Sequence, residues 1–187
     1  IDQNAERIIF TDNGDGTISS IIQIQYTGFD IDFSWILPIP EPITIEAVSA
    51  PETAANDFTE LAIATNRQYI TQHPREVGPY EVVIIGSEDP EALVDWLNEN
   101  GYRVEDSMIP LIDVYVEEQF VFMAMRLQPS RGVQDIQPIQ VTYPSENPMI
   151  PLRLTAVAAN PDMAVLTWFF AEQQAVPDNY GHFEIED

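Results

Sequence analysis

The stretch TDNGDGTISS, residues 11–20, decides how the chain begins to fold. It is acidic, carries two glycines and runs straight into isoleucines, so it reads either as a calcium-binding loop or as the turn of a β-hairpin. An EF-hand-type loop needs oxygen ligands at its first, third and fifth positions, glycine at the sixth and commonly a carboxylate at the twelfth. Setting Asn13, Asp15 and Gly16 at the third, fifth and sixth positions leaves Thr11 at the first and Ile22 at the twelfth, so both ends of the cage are wrong. Starting from Asp12 puts Gly14 and Gly16 where side-chain oxygens belong. The flanks RIIFT and TISSIIQIQY read as strands, and an Asn-Gly-Asp-Gly connection supplies the positive φ angles that a tight hairpin demands. The hairpin is the favoured reading.

Outward from the hairpin, FDIDFSWILPI (residues 29–39) places Phe29, Ile31, Phe33, Trp35, Leu37 and Ile39 on one face and Asp30, Asp32 and Ser34 on the other, the pattern of a half-buried strand. Pro38, Pro40 and Pro42 remove amide donors, so the ladder ends there or becomes an edge. ITIEAV reads as a further strand. Over residues 51–72 the period changes: Ala54, Phe58, Leu61, Ala62, Thr65 and Tyr69 form a helical stripe, with Pro51 suited to the first turn.

YEVVIIG is apolar on both faces and reads as a central strand. A helix follows, with Asp89 as N-cap, Pro90 at its first position, Glu91 near its positive end and Gly101 as its stop. Met108, Leu111, Ile112 and Tyr115 share a face of a second helix over 108–119. FVFMAMRL, IQVTY, LRLTAV and AVLTWFF read as strands separated by turn signals. The expected class is α+β: a mostly antiparallel, sandwich-like sheet system with two or three helices inserted between N-terminal and C-terminal strands. One domain spanning residues 1–187 is the expectation, since this length buries a core without disulfides or metal.

Charge narrows the partners. Seven arginines and no lysine stand against 31 acidic residues, a net charge of −24. Nucleic acid needs a basic footprint, which this composition lacks, and an anionic membrane surface is repelled by the same field. The longest apolar runs are far short of the roughly 20 residues a membrane helix requires, so direct membrane insertion by this segment is not expected. With no cysteine, a thiolate zinc site and a disulfide framework are excluded within the chain. His73 and His182 are far apart and each sits in a loop-like context, so exposed or capping roles are favoured over a metal centre. IIGSE follows a strand but lacks the G-x-S-x-G elbow of a serine hydrolase. Asp30/Asp32 and Glu117/Glu118 are pairs that chance supplies among so many acids, and they read as solvated faces. No residue is assigned a catalytic, cofactor-binding or metal-ligating role, and no cofactor is implied. Trp35 and Trp168, in FSWILPIP and LTWFF, either fill the core or form a buried subunit interface; core is the favoured reading.

Four segments in order, DQNAERIIF, QIQYTGFDIDFSWILPIPEP, YEVVIIGSEDPEALVDWLNENGYRV and IPLRLTAV, resemble the bacterial domain of unknown function 2330. The resemblance runs through essentially the whole chain, with Y-x-G before F-x-W-x-x-P-x-P, then W-L-x-x-x-G-Y, then a P-L-R-L strand. It implies an exported protein, with a signal peptide, a CGG…C segment before the region matching Asp2–Phe10, and a continuation past the point matching Asp187. The chain is therefore expected to be a mature or trimmed piece of such a protein, extracytoplasmic, either secreted or associated with the cell envelope. The resemblance carries no catalytic residue across.

Three functions are compatible with this reading. The first is a noncatalytic domain acting by protein–protein contact, as an accessory or structural subunit of an envelope assembly. The second is a calcium- or other divalent-responsive module, and the third a secreted hydrolase with an unrecognised site. The hairpin reading of residues 11–20 predicts that melting curves in calcium, magnesium and sodium coincide at matched ionic strength; a calcium-specific rise in Tm would favour the divalent-responsive module instead.

Overall fold

A computed structural model of the chain describes residues 2–27, 33–40, 48–50, 69–71 and 74–179, together with Phe29, Ile43 and Gly181. The expected hairpin forms: β1 (Asp2–Asp12) and β2 (Thr17–Thr27) pair antiparallel, from Asp2 opposite Thr27 to Asp12 opposite Ile18. Gly14 and Gly16 take φ of +73° and +84°, which a side chain would oppose. The acidic residues serve the turn itself. Asp12 accepts the Gly14 amide, and Asp15 accepts both the amide and the hydroxyl of Thr17. The Thr17 hydroxyl lowers the Asp15 pKa below its ordinary value.

The hairpin lies inside a five-stranded sheet of order β10-β1-β2-β9-β4, in which β9 is Ile139–Pro144, β4 is Val48–Ser49 and β10 is Ala159–Phe170. A second sheet has the order β3-β8-β7-β5, with β3 (Ser34–Ile39), β8 (Val121–Leu127), β7 (Tyr80–Ser87) and β5 (Tyr69–Thr71); β6 (Arg75–Val77) follows β5 along the same side of β7. Pairing is antiparallel throughout the described residues except between β1 and β10, which run parallel. This agrees with the expected α+β class and its largely antiparallel sheets.

The central strand expected from YEVVIIG is β7, and its two faces bury different cores. Val82 and Ile84, with Met123 and Met125 of β8, pack against Ile8, Phe10, Ile22, Ile139 and Val141 of the first sheet. Val83 and Ile85, with Phe122 and Ala124, pack against helices. Those helices are α1 (Pro90–Glu99), α2 (Ile109–Glu117) and α3 (Leu152–Ala158). The order of layers is sheet, sheet, helices.

Helix α1 has the predicted punctuation. Asp89 accepts the amides of Glu91 and Ala92, and Pro90 begins the helix. At the other end, Tyr102 N–H donates to Leu97 and Gly101 N–H to Asn98, a Schellman closure with Gly101 at φ +81°. Leu93, Val94 and Leu97 form the buried face. Arg126 of β8 fastens this end to the sheet: it donates to Glu81 of β7 and to the Asn100 carbonyl, and its guanidinium sits 5.4 Å from the centre of the Tyr102 ring.

Three local expectations change. LRLTAV is not a strand but α3: Pro151 presets the entry, and Leu154 is buried with Val157 one turn on, a helical stripe that a short alternating apolar run conceals. The half-buried strand over 29–39 begins at Ser34 instead, with Phe29 off it and largely exposed. That strand is buried on both faces, since Ile36 joins the helix-side core while Leu37 and Ile39 face the first sheet. Pro38 is tolerated opposite Phe122 because β3 is an edge strand. Of the helix expected over 51–72, residues 51–68 and 72 lie outside the described residues, and Tyr69–Thr71 are not its last turn but strand β5, paired with β7; ITIEAV contributes only Val48 to a described strand.

Tyr80, from the second sheet, reaches the segment before β9: its hydroxyl donates to the Gln137 carbonyl at 2.6 Å and accepts the Gln137 amide at 2.9 Å. Burial pushes the phenols of Tyr80, Tyr102 and Tyr143 up to about 12. An unfolded tyrosine ionises at about 10, so the neutral phenols favour the folded state below that pH, and this contribution is lost as pH rises through about 12. Stability to urea should therefore hold up to about pH 10 and fall beyond it. Phenolate absorbance from these tyrosines should appear together with loss of the circular dichroism signal.

Candidate functional site

The polar groups singled out in the sequence do not converge among the described residues. The acids of the 11–20 turn are spent on that turn. Ser87, in IIGSE, donates to the Asp89 carbonyl at 2.8 Å and accepts the Asp89 amide at 3.0 Å, an arrangement that shapes the entry to α1. Glu118 holds Arg153 through both carboxylate oxygens, at 2.7 and 2.8 Å, which ties α3 to the end of α2. Glu117 is exposed beside it. His73, His182, Asp30 and Asp32 lie outside the described residues. No group of three or more His, Asp or Glu side chains is placed to hold a metal ion among the described residues.

An apolar cleft opens beside β3, lined by Tyr26, Trp35, Met108, Pro151 and Leu154, with the buried Ser34 hydroxyl finding no partner among the described residues. Its free volume of about 50 Å³ is room for a few waters at most. Trp35 is half-buried against the core, as the core reading expected.

Trp168 is not. It lies on β10, the last strand of the first sheet, and is 42% exposed; Leu166 and Phe170 on the same face are 52% and 61% exposed. The alternation along β10 separates two roles. Val165 packs against the core, while Phe169 stacks on Phe10 with ring centres 5.2 Å apart but stays 40% exposed, so the inner side of this edge is only partly covered. The intervening Leu166, Trp168 and Phe170 point to the opposite face of the sheet, because successive strand side chains alternate. The register sets Ile9 beside Trp168 and Ile21 beside Ile9, both half-buried, so the apolar stripe crosses from β10 through β1 to β2. The three helices pack on the second sheet, and this outer face of the first sheet has none over it among the described residues.

β10 also leaves a backbone edge unpaired among the described residues, since β1 occupies only one side of it. Sheet edges in stable monomers are normally blunted by lysine, proline, bulges or shortness. Here such devices sit at one end only, at Pro161 and at Asp162 with its φ of +65°. From Met163 to Ala171 the strand carries no ionisable side chain. An aromatic face and an open edge thus coincide on one strand. The core expectation failed for Trp168 because alternation in LTWFF identifies a strand without saying whether anything covers its second face; the signal available was the aromatic pair on both faces of a terminal strand.

Residues 72–182, more than half of the chain, match the model of a family described as an uncharacterized protein conserved in bacteria, DUF2330. No curated protein and no solved structure matches the chain. The matched segment includes β7, β8, the three helices and the whole of β10. No helix among the described residues is long and apolar enough to cross a membrane.

If the β10 face serves something other than the fold, its truncation leaves stability nearly intact. Leu166→Ala and Phe170→Ala should each cost about 1 kcal/mol or less, whereas Phe122→Ala in the doubly buried β8 should cost about 3–5 kcal/mol. Urea denaturation of the three variants measures the contrast.

Proposed function

This chain belongs to the bacterial DUF2330 family, and from that premise we propose that it is a noncatalytic extracytoplasmic domain working by protein–protein contact, as an accessory or structural subunit of a cell-envelope assembly. The observation that carries the reading is the row Leu166, Trp168 and Phe170 exposed on a sheet edge that is unpaired among the described residues. Contiguous exposed apolar patches on soluble proteins mark contact sites, and aromatic residues concentrate at the centres of interfaces, where their large area is desolvated. The remaining surface supports the same view from the other side: a net charge of −24 resists indiscriminate association and confines contact to where charge is lacking. The extracytoplasmic location is supported by the resemblance of the chain to exported proteins.

The full chain, immobilised and exposed to detergent-solubilised envelope from the bacterium that encodes it, should retain a defined protein component. A Leu166→Lys/Trp168→Lys variant should lose that component while keeping its melting temperature within a few degrees. Equal recovery on both, or accumulation of the native gene product in the cytoplasm on fractionation, contradicts the proposal.

A further inference from the structure

Resting on the contact reading above, we infer that the β10 edge takes a second copy of this chain: residues 164–170 of two copies pair antiparallel about a two-fold axis normal to the first sheet, joining two five-stranded sheets into one.

The distribution of charge favours this occupant. Two chains of −24 each repel, and most surfaces they could bring together set carboxylates against carboxylates. Along β10, from Met163 to Ala171, nothing is ionisable, so like can approach like there. The flanking Asp162 and Glu172 limit how far pairing can extend. Geometry favours it as well. A two-fold normal to the sheet keeps both outer faces on the same side, so the exposed side chains of the two copies merge into one stripe. With Thr167 on the axis, Leu166 of one copy lies opposite Trp168 of the other, and Ala164 opposite Phe170. Small thus meets large at each end, at the close spacing of cross-strand pairs. On the inner face Val165 lies opposite Phe169.

Closure is the third argument. An isologous pair consumes both open edges and stops at two copies.

Sedimentation equilibrium of the full chain tests the inference. A dimer is expected whose dissociation constant falls about tenfold as sodium chloride rises from about 20 mM to about 500 mM, because screening weakens the repulsion between two anionic bodies while leaving the apolar pairing intact. Leu166→Lys/Trp168→Lys should be monomeric at every salt concentration, although its added positive charge would strengthen association if charge alone governed it. Since the chain has no cysteine, Thr167→Cys introduces one thiol, and mild oxidation should link it into a covalent dimer, whereas Glu99→Cys on the exposed side of α1 should not link. A chain that is monomeric at all salt concentrations, a dimer that persists in the double lysine variant or weakens with salt, or growth into fibres would each overturn self-pairing. If the chain is monomeric but retention of an envelope protein still depends on Leu166 and Trp168, self-pairing falls and the contact reading stands; if retention is also indifferent to them, both fall.

Discussion

The fold depends on one constraint: β7 and β8 must be covered on both faces. Val82, Ile84, Met123 and Met125 point one way, and Val83, Ile85, Phe122 and Ala124 the other, all of them buried. A sheet apolar on both sides cannot face water on either, so it recruits a second sheet against one face and helices against the other. The β1–β2 hairpin exists to supply the first cover and α1 to α3 the second. Burying a valine, isoleucine, methionine or phenylalanine contributes about 1.5–3 kcal/mol, and the seven of these on the two adjacent strands outweigh any single polar contact among the described residues.

Polar groups act mainly as fasteners around that layer. Arg126 joins the end of α1 to β7 through Glu81, the Asn100 carbonyl and the Tyr102 ring, and Tyr80 bridges to Gln137 on the approach to β9. Arg153 and Glu118 are exposed, and such pairs contribute about 1 kcal/mol or less; their value lies in holding the first turn of α3 beside the end of α2. With 31 acids and seven bases, most carboxylates have no cation to meet, and the folded body carries a strong anionic field. Against that field, an uncharged aromatic strand at a sheet edge is the place where association costs least.

Much of this architecture was legible in the residues. Gly14 and Gly16 mark the turn, Asp89-Pro90 and Gly101 bracket α1, and YEVVIIG declares a central strand; each is a local rule of backbone sterics, capping or two-sided burial, so no distant contact is needed to read it. The misreadings share one cause. LRLTAV has too few residues for its period to separate strand from helix, and packing of Leu154 and Val157 beside α2 settled it. In FSWILPIP the polar-looking second face turned out buried, because a helix layer reached it.

What the sequence by itself determined is therefore the hairpin, α1, α2 and most of the strands, the anionic character and the double apolarity of β7, since these follow from side-chain chemistry and from spacing along the chain. Only the tertiary structure decided that β10 runs parallel to β1 at the end of a sheet among the described residues, with Phe169 stacked on Phe10 on one face and Trp168 on the other. Strand order and the presence or lack of a covering layer are properties of contacts between residues more than a hundred positions apart, and alternation within one strand carries no information about them.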